Sequence, residues 1–156
     1  MFSPKMLYAL NSSMLDKYTD EIVEVNQKTK EFGLELTRDE IKNIIVARNQ
    51  VLHSYGRVEL SVDVTKELAA VFCASPHVDN KNYVSTLYEL QEIFYYLKNE
   101  TEDKIGDSPL IAVMKNYFDD VCNGSLELLK SKLEEFAERF RNESSFRKSF
   151  LERDER

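Results

Sequence analysis

With 156 residues, the chain has the length of one domain. A chain of this size buries roughly 68–70% of its unfolded surface, enough for a real core. Four Gly and three Pro argue against an all-β fold of tight turns. A net charge of −7, with no long Lys/Arg run, argues against binding nucleic acid or an anionic membrane surface.

Helical periodicity predicts an all-α fold. The region from about 4 to 32 carries Leu7, Leu10 and Met14 on one face and Leu15, Tyr18, Ile22 and Val25 on another. Ser12, Ser13 and Thr19 leave open whether it is one helix or two. Gly33 suits its C-terminal end, where positive φ is needed. Thr37 and Glu40 form a capping-box pattern, with Leu36 and Ile41 as a hydrophobic staple, and predict a helix over about 38–55 that stops at Gly56. Residues 57–62 alternate apolar and polar. They read as a short extended connector, the one segment that threatens an all-α label.

A short helix over about 63–73 follows, with Val64, Leu68, Val71 and Phe72 inward, and then a loop around Pro76. The helix over about 80–100 is apolar around more than half its circumference, which predicts a central helix packed on several neighbours. Pro109 is expected at the first position of the next helix, whose apolar face is Leu110, Val113, Met114, Tyr117, Phe118 and Val121. Ser125 is the expected cap of the last long helix, which buries Leu126, Leu129, Leu133, Phe136, Ala137 and Phe140. The expectation is a single compact bundle of five to seven helices over 1–142, with a polar tail over 143–156. That tail carries Phe146, Phe150 and Leu151, and either frays or docks.

Two polar residues interrupt the apolar stripes. Arg48 falls near the centre of the Ile44/Ile45/Leu52/Tyr55 stripe. It reads as a structural ion pair, as an Arg that snorkels past the rim, or as a clamp for a carboxylate or phosphate. Gln91 lies inside the apolar arc of the central helix, either as a buried amide holding its neighbours or as the wall of one polar pocket shared with Arg48. Tyr88 and Tyr95, with Tyr83 and Tyr96, pack with their hydroxyls at the surface or belong to an exposed patch that binds a protein.

Catalytic and metal signals are absent. Among His53, Cys73, His77 and Cys122 only Cys73 and His77 are close, and that pair crosses Pro76, so the two close pairs usual in a zinc site are missing. Cys73, His77 and Asp79 are near each other only in sequence, which is poor evidence for a triad. Glu89 and Glu92 lie on the polar side of the central helix, and phosphate-loop, dinucleotide and nucleophile-elbow motifs do not occur. No cofactor, metal or catalytic residue is expected. The expected role is a non-enzymatic interaction or assembly module acting on a protein partner or a second copy, with a small-anion-binding domain using Arg48 as the alternative. The two cysteines are too few for a disulfide framework. No apolar run has signal-peptide or membrane-span length, so the expected compartment is the cytoplasm.

The stretch FCASPHVDNKNYVSTLYELQEIFYYLKNET, preceded by IVARNQVLHSYGRVEL and followed by FDDVCNGSLELL, resembles a family of unknown function. Its members are small acidic helical proteins from anaerobic Gram-positive bacteria. The F-C-x-S-P, E-L-Q-E-I-F-Y-Y-x-K-N-E-T and G-S-L-E segments carry the resemblance, which covers about residues 15–141. It implies a bacterial cytosolic protein and no catalytic residue. It also directs attention to the loop 73–83 and the helix after it.

Overall fold

Local signals set most helix ends. Thr37 Oγ1 accepts the Glu40 amide at 3.1 Å, and Glu40 Oε1 accepts the Thr37 amide at 2.9 Å, closing the capping box. Leu36 and Ile41 are both buried beside it. Ser125 Oγ accepts the Leu128 amide at 3.2 Å and starts the last long helix. Gly33 sits at φ 77°, the left-handed conformation that favours glycine. Gly124, at φ 82°, is further constrained, since a Cβ there would lie 2.6 Å from His77.

The computed structural model describes residues 4–154, with side chains for 12–152. In chain order the helices are α1 (Pro4–Val23), a short α2 (Asn26–Thr29) running into a 3₁₀ turn (Lys30–Phe32), α3 (Arg38–Ser54), α4 (Asp63–Phe72), α5 (Tyr83–Glu100), α6 (Asp107–Asp119), α7 (Leu126–Asn142) and α8 (Ser144–Asp154). Seven of these have ten residues or more, and no strand occurs among the described residues. The chain is all-α, and the segment 57–62 is an irregular connector that bends at Leu60 and pairs with no strand among the described residues, rather than an extended piece. None of the described helices is long and apolar enough to cross a membrane.

Helix α5 is central and packs on α3, α4, α6 and α7. Its Leu87, Leu90, Phe94 and Leu97 are buried, as the all-round apolar pattern requires. The first region breaks after Val23. Asn26 holds the break by taking the Leu36 amide on Oδ1 at 2.8 Å and giving Nδ2 to the Leu36 carbonyl at 2.9 Å. Tyr18, Ile22 and Val25 are buried and Leu15 is partly so. The side chains of Leu7 and Leu10 lie outside the described residues.

Several boundaries differ from expectation. The central helix begins at Tyr83 rather than at about residue 80, because Asp79 Oδ1 captures the amides of Lys81 and Asn82 in a turn. Pro109 is the third residue of α6, with Gly106 in the capping position. Val121 is 55% exposed, because α6 ends at Asp119 and the apolar stripe ends with it. The segment after Asn142 docks: it forms α8, and Phe146, Phe150 and Leu151 pack against the body.

Candidate functional site

After α3 the chain turns at Gly56, the Arg57 amide bonds to Leu52 O at 2.8 Å, and the connector 57–62 crosses over Arg48. Arg48 is 2% exposed. Its Nη2 donates to the carbonyls of Glu59 at 3.0 Å and Ser61 at 2.6 Å, and its Nη1 donates to Asn49 Oδ1 at 2.7 Å. The Tyr18 ring lies beneath the guanidinium, 5.4 Å from its carbon, and Tyr18 OH donates to Leu60 O at 2.8 Å. Three successive carbonyls of the connector are thus held from below by two buried donors. Arg48 forms no ion pair among the described residues and does not snorkel outward. Its charge is met by neutral acceptors, since a buried charge needs several hydrogen bonds.

Arg57 fixes the start of the connector from the other side. It donates to Asn99 Oδ1 and to Asp103 Oδ1, both at 2.7 Å, and lies 5.8 Å from the Tyr95 ring centre. The hydrogen bond from Arg57 holds the Asp103 carboxyl below the usual carboxylate range. Tyr95 is fully buried, and its hydroxyl has no hydrogen-bond partner among the described residues. Burial, followed by the nearby Glu59 carboxylate, raises that hydroxyl well above the ordinary tyrosine range.

A pocket of about 270 Å³ opens between α1, α3 and the connector, with Tyr18, Arg48, Asn49, His53, Arg57 and Glu59 in its wall. Met14, Val58 and Leu60 also line it. Val58 is 86% exposed and Leu60 79%, by far the most exposed of the large apolar residues described.

Gln91 lies elsewhere. Its Oε1 accepts the Thr65 hydroxyl at 2.6 Å and its Nε2 donates to Ile44 O at 3.3 Å, so it ties α3, α4 and α5 together. Both ends are used inside the core, and Gln91 is not among the residues lining the pocket that holds Arg48. Tyr88 is half-buried on α5, whereas Tyr83 and Tyr95 are buried and add nothing to an exposed patch. Tyr83 OH donates to Ala69 O at 2.9 Å. Tyr55 and Tyr96 border a smaller cleft of about 130 Å³ with Glu92, Lys130 and Glu134, and Glu89 pairs with Lys130 at 2.6 Å.

Cys73, His77 and Asp79, neighbours in sequence, bond to different groups. Cys73 Sγ donates to Ala70 O at 3.1 Å, while His77 Nε2 lies 3.2 Å from Asp119 O. Asp79 is occupied by the turn that precedes α5. Burial raises both thiols, Cys73 and Cys122, the reverse of what an activated thiolate needs. Among the described residues no three His, Cys, Asp or Glu side chains are grouped to hold a metal.

A family model matches residues 21–146. The chain belongs to the family of unknown function DUF6323. The DUF6323 match takes in the connector, Arg48, all of α3 to α7 and the start of α8. Comparison with curated proteins and with solved structures gave no match.

Sequence reasoning missed Tyr18, Arg57 and the pair Val58 and Leu60 as parts of this site. The alternation over 57–62 was the available signal. The alternation predicts an extended connector, and in the structure it places two apolar side chains in solvent.

Proposed function

We propose that the chain is a non-enzymatic protein-interaction module of the bacterial cytoplasm, and that its docking element is the connector 57–62. The observation that carries this reading is the exposure of Val58 and Leu60 on a segment whose carbonyls are tied down by buried Arg48 and Tyr18. Closing a loop does not require burying an arginine, and the result of doing so is a fixed pair of apolar side chains in water. Full coverage of such a side chain by a partner contributes roughly 1.5–3 kcal/mol. A segment already ordered loses little further entropy on binding. The resemblance to bacterial proteins, the net charge of −7 and the two unpaired thiols support the cytoplasmic setting.

The test is a photo-activated cross-linking side chain placed at residue 60, and separately at exposed Glu135 on α7, in the native cell. A discrete protein adduct is expected from residue 60 alone and should be lost when Val58→Ser is added. Equal adducts from both positions, or none from residue 60, would remove this reading.

A second reading makes the pocket a site for a small carboxylate or phosphate. Its support is the 270 Å³ volume with Arg48, His53 and Arg57 in the wall. Three of the four Arg48 terminal N–H donors already serve the chain, which weakens it. Equal thermal shifts of wild type and Arg48→Met with phosphate and citrate would end it.

A further inference from the structure

Helix α8 is joined to α7 through a single non-helical residue, Glu143, at φ −111° and ψ 98°. The helical hydrogen-bond pattern already reaches this residue from both sides. The Glu143 amide bonds to Arg139 O at 2.8 Å, and Glu143 O accepts the Arg147 amide at 3.0 Å. The Arg139–Glu143 ion pair at 2.9 Å also has the i,i+4 spacing of a continuous helix. No Gly or Pro lies between Glu138 and Phe150 to force a stop.

What closes the joint is Arg147. Its Nη1 donates to the carbonyls of Phe140 at 3.2 Å and Arg141 at 3.1 Å, the orphan acceptors at the end of α7. If Glu143 became helical, the amides of Ser144 and Ser145 would take those same two carbonyls. With the Phe146 amide on Asn142 O as well, three backbone bonds replace the two from Arg147, so hydrogen bonding at the joint does not oppose the straight form.

The apolar pattern of a straight form is continuous except at Glu143 and Arg147, which fall within the apolar stripe. At 100° per residue, Phe150 and Leu151 fall on the same stripe, about 100° wide, as Leu129, Leu133, Phe136 and Phe140, with Phe146 beside it. A continuous 126–154 helix would be roughly 43 Å long. It would also strip α8 from its seat. In the bent form Phe136 meets Phe146 at 5.7 Å and Phe150 at 5.5 Å between ring centres, and the Arg139 guanidinium covers Phe146 at 4.0 Å. Straightening would leave Phe136 and Phe140 bare in one chain, and Phe146 and Phe150 projecting from it.

We propose that α8 is an exchangeable arm, and that the occupant of the bared Phe136/Phe140 seat is α8 of a second copy, giving a two-fold symmetric swapped dimer. The seat and the arm are self-complementary by construction, because they already fit within one chain. Exchange between copies recreates every contact except those of the hinge, so the hinge alone decides between monomer and dimer. This surface is separate from the connector, and the two proposals stand or fall independently.

The experiment measures molar mass by light scattering over a wide concentration range, for folded wild type, for Glu143→Gly and for Glu143→Ala/Ser144→Ala/Ser145→Ala. The wild type should show a dimer that grows with concentration and dissociates slowly on dilution. The triple variant, with better helix formers at the joint, should strengthen dimerisation about tenfold or more, and Glu143→Gly should weaken it. Exchange itself is read by mixing an Arg139→Cys chain with a Phe146→Cys chain, two positions in contact in the monomer. The native thiols are both buried and do not compete. A disulfide between the two chains, within the dimer fraction only, is the expected result. A triple variant that stays monomeric at every concentration would overturn the proposal. So would a dimer that forms no such disulfide, or one that persists when residues 144–156 are removed.

Discussion

The connector 57–62 and the joint at Glu143 both link helices that pack on the same body, and they are secured in opposite ways. The connector is held from inside by Arg48 and Tyr18, which are buried, and from the flank by Arg57. The joint at Glu143 is held by one guanidinium near the surface, that of Arg147. A charged hydrogen bond formed away from water is strong, because leaving its acceptors bare is costly; the same bond in contact with water is easily replaced. The first linkage is therefore built to stay in one shape, and the second has a nearby alternative.

The largest test of this contrast is Arg48→Met, which keeps much of the side-chain volume and removes the donors. Two connector carbonyls lose their partners, and stability should fall by about 2–4 kcal/mol. Denaturant unfolding measures the loss, and hydrogen exchange over 57–62 should rise well before global unfolding. A variant as stable as wild type would show that the connector needs no internal anchor.

A smaller effect is expected from Asp103→Asn, which weakens the outer anchor of Arg57. Asp103 is 54% exposed at its side chain, so the loss at pH 7 should stay under about 1 kcal/mol. Its pH dependence has a definite sign. The folded protein holds this carboxyl below its ordinary value, so the stabilisation is fully present above about pH 4 and is lost as pH falls through the folded value. The gap between wild type and variant should thus close on acidification, as unfolding midpoints at pH 7 and pH 3 would reveal.

The smallest effect belongs to the other linkage. Arg147→Met should cost about 0.5 kcal/mol, because the freed Phe140 and Arg141 carbonyls find water or the next amides. A loss as large as that of Arg48→Met, in the same unfolding measurement, would erase the distinction between the two linkages.

What the sequence revealed was what repeats every turn or is settled within four residues. Thr37 with Glu40, Gly33 and Ser125 mark their helix ends by local chemistry. The periodicity of α3 and α5 was enough to place Arg48 and Gln91 inside. Their partners were not legible, because they come from afar: Glu59 and Ser61 meet Arg48 from 11 and 13 residues away, and Thr65 meets Gln91 from 26. The Arg57 guanidinium beside the buried Tyr95 ring likewise comes from outside α5, and no pattern within that helix encodes it. The start of α5 was misplaced for the opposite reason. Asp79 and Asn82 form a turn with their own neighbours, and that local competitor overrode an apolar pattern that would have run on.

The two cysteines give the molecule a built-in chemical clock. Cys73 closes α4 and Cys122 lies in the turn after α6, and both are sealed from water with their thiols held in the unreactive form. Neither can meet a water-borne thiol reagent until its surroundings open. The rate at which each is labelled in the unmodified chain therefore times the opening of its own neighbourhood, and residues at two separate seams of the bundle can be timed in one experiment.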